Sequence, residues 1–196
     1  MTAFDPNRIA IADSVPANLK DEEYLRRLRA IENSLRIPER FEKTCTHEAG
    51  HLIYFRRAGF ADFVYCGPKI FHDGRQFVYW VAWVNPSAFN GNIFYSDELL
   101  RGIARGAAAG GVFLEVLLGC SVIDNGSGDD LMSFGVHCSR AQAQLSRPLN
   151  VQERWNRARS EVKLDLENNI IRPDEVERAK AEVVQNCFSD ARLNQA

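Results

Sequence analysis

The chain has no uninterrupted apolar run long enough to cross a bilayer, no surplus of either charge, and no paired CxxC spacing. Each absence removes a class of protein. Its most apolar stretch, Ile103 to Ile123, is broken by Arg105, Glu115 and several glycines, which suits a buried helix rather than a membrane span. With 24 basic and 26 acidic residues the net charge is −2, so no basic face for nucleic acid is expected. Acids and prolines stand between Met1 and Lys20 where a signal peptide would need an apolar core. No GxxxxGK(S/T) phosphate-binding loop occurs anywhere. The five cysteines, Cys45, Cys66, Cys120, Cys138 and Cys187, are odd in number and fit reduced thiols in a cytoplasmic protein. The expectation is a cytoplasmic chain with neither nucleic acid nor membrane as partner.

What is present reads as an ordinary globular sequence: 196 residues, 45% hydrophobic and 26% charged. Residues 1–20 form an irregular arm. A helix is expected over 21–36, ended by Ile37-Pro38, and a second from about Pro38 to Arg57, stopped by Gly59. Two strand-like segments follow, Phe63 to Phe71 and Gln76 to Asn85, with Asp73-Gly74 between them as a hairpin signal. Ser96 should cap a helix reaching Leu118. After a glycine- and asparagine-rich loop, Asp129 or Asp130 opens another helix to about Leu145. Two amphipathic helices close the chain, roughly Asn150–Asn169 and Pro173–Cys187. The expected class is α+β, mostly helical with one small antiparallel sheet. The expected division is an arm over 1–20, a main domain over 21–146, and a C-terminal helical extension over 147–196 packed on the same domain.

The chemistry-bearing motif is His47-Glu48-Ala49-Gly50-His51, an HExxH pattern. Histidines at i and i+4 share one helical face, one turn apart, so both imidazoles can reach one Zn²⁺. The intervening glutamate can take a proton from a water whose pKa zinc lowers to roughly 7. Gly50 is informative, because a mid-helix glycine costs about 1 kcal/mol relative to alanine and implies close packing. A catalytic zinc also needs a third protein ligand. The metzincin extension requires glycine at 54 and histidine at 57, where the chain has Tyr54 and Arg57. Asp130, at a loop-to-helix junction, is the leading candidate, with its neighbour Asp129 as the alternative.

The run Lys43-Thr44-Cys45-Thr46-His47-Glu48-Ala49-Gly50-His51 resembles the HEAGH helix of the FtsH-type ATP-dependent zinc peptidases. Downstream, residues 96–119 resemble a glycine-rich helix of that family at Gly110, Gly111 and Glu115. Asn125-Gly126-Ser127-Gly128-Asp129-Asp130-Leu131 resembles the segment that supplies its third, aspartate ligand. The resemblance spans about Glu42 to Arg140. It implies a zincin-like peptidase domain with one zinc per chain on His47, His51 and Asp130, and Glu48 as general base. Val112 stands where the family has arginine, Asp129 where it has asparagine, and Phe134 to Ser139 depart from its pattern.

The resulting expectation is a zinc metalloendopeptidase acting on peptides or unfolded proteins without its own ATPase. A separate ATPase or adaptor is a candidate partner, and an oligomer a candidate assembly. The competing reading is a catalytically silent, zinc-containing peptide-binding module, which an intact Glu48 disfavours. Glu115, Asp129 and His137 are candidate supports for the zinc ligands, with a salt bridge for Glu115 and an ordinary packed role for His137 as alternatives. Phe77 to Val84, apolar on both faces, reads as a core strand; the resemblance suggests instead an edge strand near the zinc that pairs with substrate backbone, with Tyr79, Trp80 and Trp83 as candidate walls of a substrate pocket. The fourfold spacing of Gly102, Gly106 and Gly110 should let that helix pack closely on the HExxH helix.

Overall fold

The computed structural model describes residues 22, 26, 37–60, 93–121 and 127–188, and the backbone of four short strands between 63 and 86. The arm over 1–20 and most of the helix expected over 21–36 lie outside the described residues.

Helix α1 (Pro38–Arg57) begins where Pro38, which has no N–H to leave unpaired, follows an extended Ile37. Gly59, at φ +88°, turns the chain away after it. Helix α2 (Asp97–Leu118) starts at Ser96, whose Oγ accepts the Leu99 N–H at 3.0 Å. It ends at Gly119 in the left-handed region, with the Cys120 N–H donating back to the Leu114 carbonyl. Helix α3 (Ser127–Leu145) opens two residues earlier than Asp129. Helix α4 (Val151–Glu167) is capped by Asn150, whose Oδ1 accepts the Glu153 N–H at 3.0 Å, and α5 (Pro173–Phe188) begins on a proline.

The α+β expectation is overturned. Among the described residues the buried core is made by these five helices and the turns joining them, not by helices laid on a sheet. Between α1 and α2 the backbone of Phe63–Cys66 pairs with Val84–Pro86, and that of Lys69–His72 with Phe77–Trp80. These are separate pairings of two strands each, three or four residues long, and the first is irregular between Phe63 and Tyr65. The physical reason is that α2 already does what a sheet would do. It is buried without a break from Gly106 to Leu114 and supplies the central layer on which α1, α3 and α4 pack, while α5 packs on α1.

One half of the core joins Leu52 and Ile53 of α1 and Val112 and Phe113 of α2 to Val162 of α4 and Val183 of α5. The other joins Phe55, Leu100 and Ile103 to Phe134 of α3 and Trp155 of α4. Charged groups close the seam between α2 and α4: Arg101 meets Glu161 at 2.9 Å, and Arg105 meets Asp165, which also accepts the Tyr54 hydroxyl at 2.8 Å. Among the described residues no helix is long and apolar enough to cross a membrane.

Helices α1 and α2 approach closely because glycine removes side chains at their crossing. A Cβ on Gly50 would lie 2.8 Å from the Ala109 carbonyl oxygen, and one on Gly102 2.8 Å from the Ala58 Cβ. This close crossing brings α2 backbone up to the histidines of α1.

Candidate metal centre

His47 and His51 lie one turn apart on α1, with ring centroids 4.6 Å apart and Nε2 atoms separated by 2.9 Å. The Nδ1 of His51 lies 2.8 Å from the Gly106 carbonyl oxygen of α2. A carbonyl can only accept, so that nitrogen carries the proton and the Nε2 of a neutral ring presents its lone pair. Phe55 stacks beside the His51 ring at 6.2 Å between centroids, filling the space one turn further along α1.

Asp130 enters from the first turn of α3. Its Oδ2 is 3.4 Å from His47 Nε2 and its Oδ1 is 3.4 Å from His51 Nε2. Those contacts are long for hydrogen bonds, and Oδ2 is buried with no shorter partner among the described residues. Such an oxygen is costly to leave unsatisfied. Around a tetrahedral zinc with bonds of roughly 2.0–2.1 Å, ligand atoms sit about 3.3–3.4 Å from one another. Each histidine-to-aspartate separation matches that edge, the two running to different carboxylate oxygens, whereas the two histidine nitrogens are a few tenths of an ångström closer. Two imidazole nitrogens and a carboxylate are a donor set that suits a zinc ion in chemistry, at spacings near those of such a site.

Glu48 is the fourth member of the cluster. Its carboxylate and the two imidazoles have atoms within 4.8 Å of one another. This grouping makes Glu48 an alternative ligand to Asp130. The carboxylate that comes within 4 Å of both Nε2 atoms is that of Asp130. Glu48 is only 6% exposed and its Oε2 has no hydrogen-bond partner among the described residues. Burial pushes its pKa up from 4.5 to about 7; His51 opposes the rise and Asp130 adds to it. Burial also pushes the Asp130 carboxyl up, but the attraction of His51 and the contact with His47 outweigh it and hold the group below the usual aspartate range.

Searches of the chain against protein-family models, curated proteins and solved structures return no match. The functional reading therefore rests on the residues themselves.

Asp129 points outward and is exposed, so the structure separates it from its neighbour Asp130. Glu115 receives two hydrogen bonds from Arg159 of α4, at 2.6 and 2.7 Å. His137 is buried two turns beyond Asp130, with Nδ1 2.9 Å from the Tyr95 hydroxyl; burial, and then the nearby Arg140, lower its pKa. Tyr79 and Trp80 fall in a strand described by its backbone alone, and Trp83 lies outside the described residues. Cys45 is buried in the core, and its thiol is pushed up to about 12, first by burial and then by Glu42.

Two contributors were not legible as site residues. The group that orients His51 is the main-chain carbonyl of Gly106, which no side-chain pattern announces. Gly110, noticed for its spacing and as part of the family resemblance but not as a site residue, lies against both histidine tips.

Proposed function

We propose that this chain is a zinc-dependent peptidase that hydrolyses peptide bonds in peptides or unfolded proteins, with one zinc per chain. The observation that carries the reading is Asp130, brought from another helix to 3.4 Å from both Nε2 atoms of an HExxH pair. His47, His51 and Asp130 hold the ion, and the Gly106 carbonyl keeps His51 in the tautomer that can donate to it. Bound there, zinc supplies Lewis-acid polarisation of the scissile carbonyl and lowers the pKa of the attacking water.

Glu48 handles the proton. Its burial holds the carboxyl near pH 7, so it can accept a proton from water and return it to the leaving amine. A buried carboxylate whose Oε2 has no hydrogen-bond partner among the described residues has no evident structural duty in this helix, which favours turnover over a silent binding module.

The test pairs metal content with hydrolysis of an unfolded, quenched-fluorescent casein, for wild type and Glu48→Gln. The expected result is about one zinc in both proteins and hydrolysis in wild type only. Equal hydrolysis by the two proteins would refute the role of Glu48. Zinc without hydrolysis in either would turn the reading toward the binding module.

A further inference from the structure

Three glycines of α2 meet α1 one turn apart, but the three contacts differ in kind. A Cβ at Gly102 would strike the Ala58 Cβ, and one at Gly106 would lie 2.4 Å from the Phe55 ring. Those two positions set how closely the helices pack. At Gly110 the added atom would lie 2.6 Å from His47 Nε2, 2.6 Å from His51 Nε2 and 2.7 Å from His47 Cε1. Its three nearest atoms are thus the tips of two imidazoles, not helix backbone and not core. The room left by Gly110 adjoins the two nitrogens that face Asp130.

We propose that Gly110 is a positioning residue of the metal centre. Its missing side chain is the space in which both Nε2 atoms are held together, so any side chain there closes the centre to divalent cations with every ligand still present. The inference rests on the metal reading above.

The direction of yielding follows from what is struck. Ordinary contact with a Cβ begins at 3.4 Å, so tips found at 2.6 Å must withdraw by several tenths of an ångström. Metal–ligand distances tolerate only about 0.2 Å. Imidazoles turn about their side-chain torsions far more easily than a buried helix backbone moves, so the methyl displaces the ligands and leaves the helix crossing in place.

The experiment titrates the full chain with Zn²⁺ in competition with a chromophoric chelator, for wild type and Gly110→Ala. Helical circular dichroism and urea midpoints are measured on the metal-free proteins. The expected result is a Gly110→Ala protein that folds but binds Zn²⁺ more weakly by over about 100-fold, beyond the usual effect of losing an outer partner of a ligand. Zn²⁺ binding by Gly110→Ala as tight as by wild type overturns this inference alone. No Zn²⁺ binding by wild type overturns both the inference and the metal reading. If Gly110→Ala does not fold, the comparison moves to the His47→Ala/His51→Ala background, where the atoms that the methyl strikes are gone. There, adding Gly110→Ala should leave the urea midpoint nearly unchanged, and a collapse of folding would overturn the proposal.

Discussion

Replacing Gly50 by alanine should destabilise the protein, against the usual direction for a glycine inside a helix. In an open helix interior the change stabilises by about 1 kcal/mol, because alanine has less backbone freedom to lose. In α1 the new methyl would lie 2.8 Å from the Ala109 oxygen, 2.9 Å from the Ala109 carbonyl carbon and 3.0 Å from Phe113 Cγ. Ala109 and Phe113 are both fully buried, and the atoms struck first are helix backbone, so neither neighbour can swing aside. Forcing a methyl into such a contact costs roughly 1–3 kcal/mol or more. Set against that gain, the net expectation is a loss of up to about 2 kcal/mol, or a fall in Tm of up to roughly 8 °C for a chain of this size. Gly135 of α3 supplies the control, since a Cβ there meets nothing within 4 Å among the described residues beyond its own stretch of helix. Gly135→Ala should therefore raise Tm by about 2–4 °C. Thermal and urea unfolding of the metal-free proteins measure both. A Gly50→Ala protein as stable as Gly135→Ala would show that α1 and α2 do not cross as closely as described.

The remaining expectations concern the centre and its supports. Asp130→Asn should weaken Zn²⁺ binding sharply, while Asp129→Asn, at an exposed position, should leave it unchanged; chelator competition separates the two, and the reverse order would reassign the ligand. Glu48 has a folded pKa of about 7, above its ordinary 4.5. Folding therefore favours its protonated form, a contribution fully present below about pH 4.5 and lost as pH rises through about 7. Over that window the metal-free wild type should lose about 3 kcal/mol relative to Glu48→Gln, and a difference that stays flat with pH in urea unfolding would contradict the burial of this group. Tyr54→Phe removes a buried hydroxyl that donates to Asp165 at 2.8 Å and should cost about 1–2 kcal/mol in urea unfolding. Asp165 keeps Arg105 in that variant, so a much larger loss would mean the seam depends on more than this bond.

Local signals place most of the helical frame. Pro38, Ser96, Asn150 and Pro173 each stand where a helix begins, because capping and the missing proline N–H act over a few residues and need no distant partner. Gly59 and Gly119 follow helix ends for the same reason, since each adopts a positive φ that favours glycine. The expected sheet failed where local reasoning is weakest. An apolar run such as Phe77 to Val84 announces burial, but not which partner it pairs with or how many strands join.

The candidate centre divides along the same line. The HExxH spacing by itself puts two imidazoles on one face of a helix with a glutamate beside them, because helical periodicity alone requires it. It does not decide between Asp129 and Asp130, whose side chains point about 100° apart around α3; only the docking of that helix turns Asp130 inward and leaves its neighbour in solvent. Nor could the residues alone show that Glu115 meets Arg159, or that the Gly106 carbonyl orients His51. Those partners lie on separate helices, and a main-chain carbonyl carries no letter in the sequence. Sequence determined which groups could perform the chemistry, and tertiary packing decided which of them face one another.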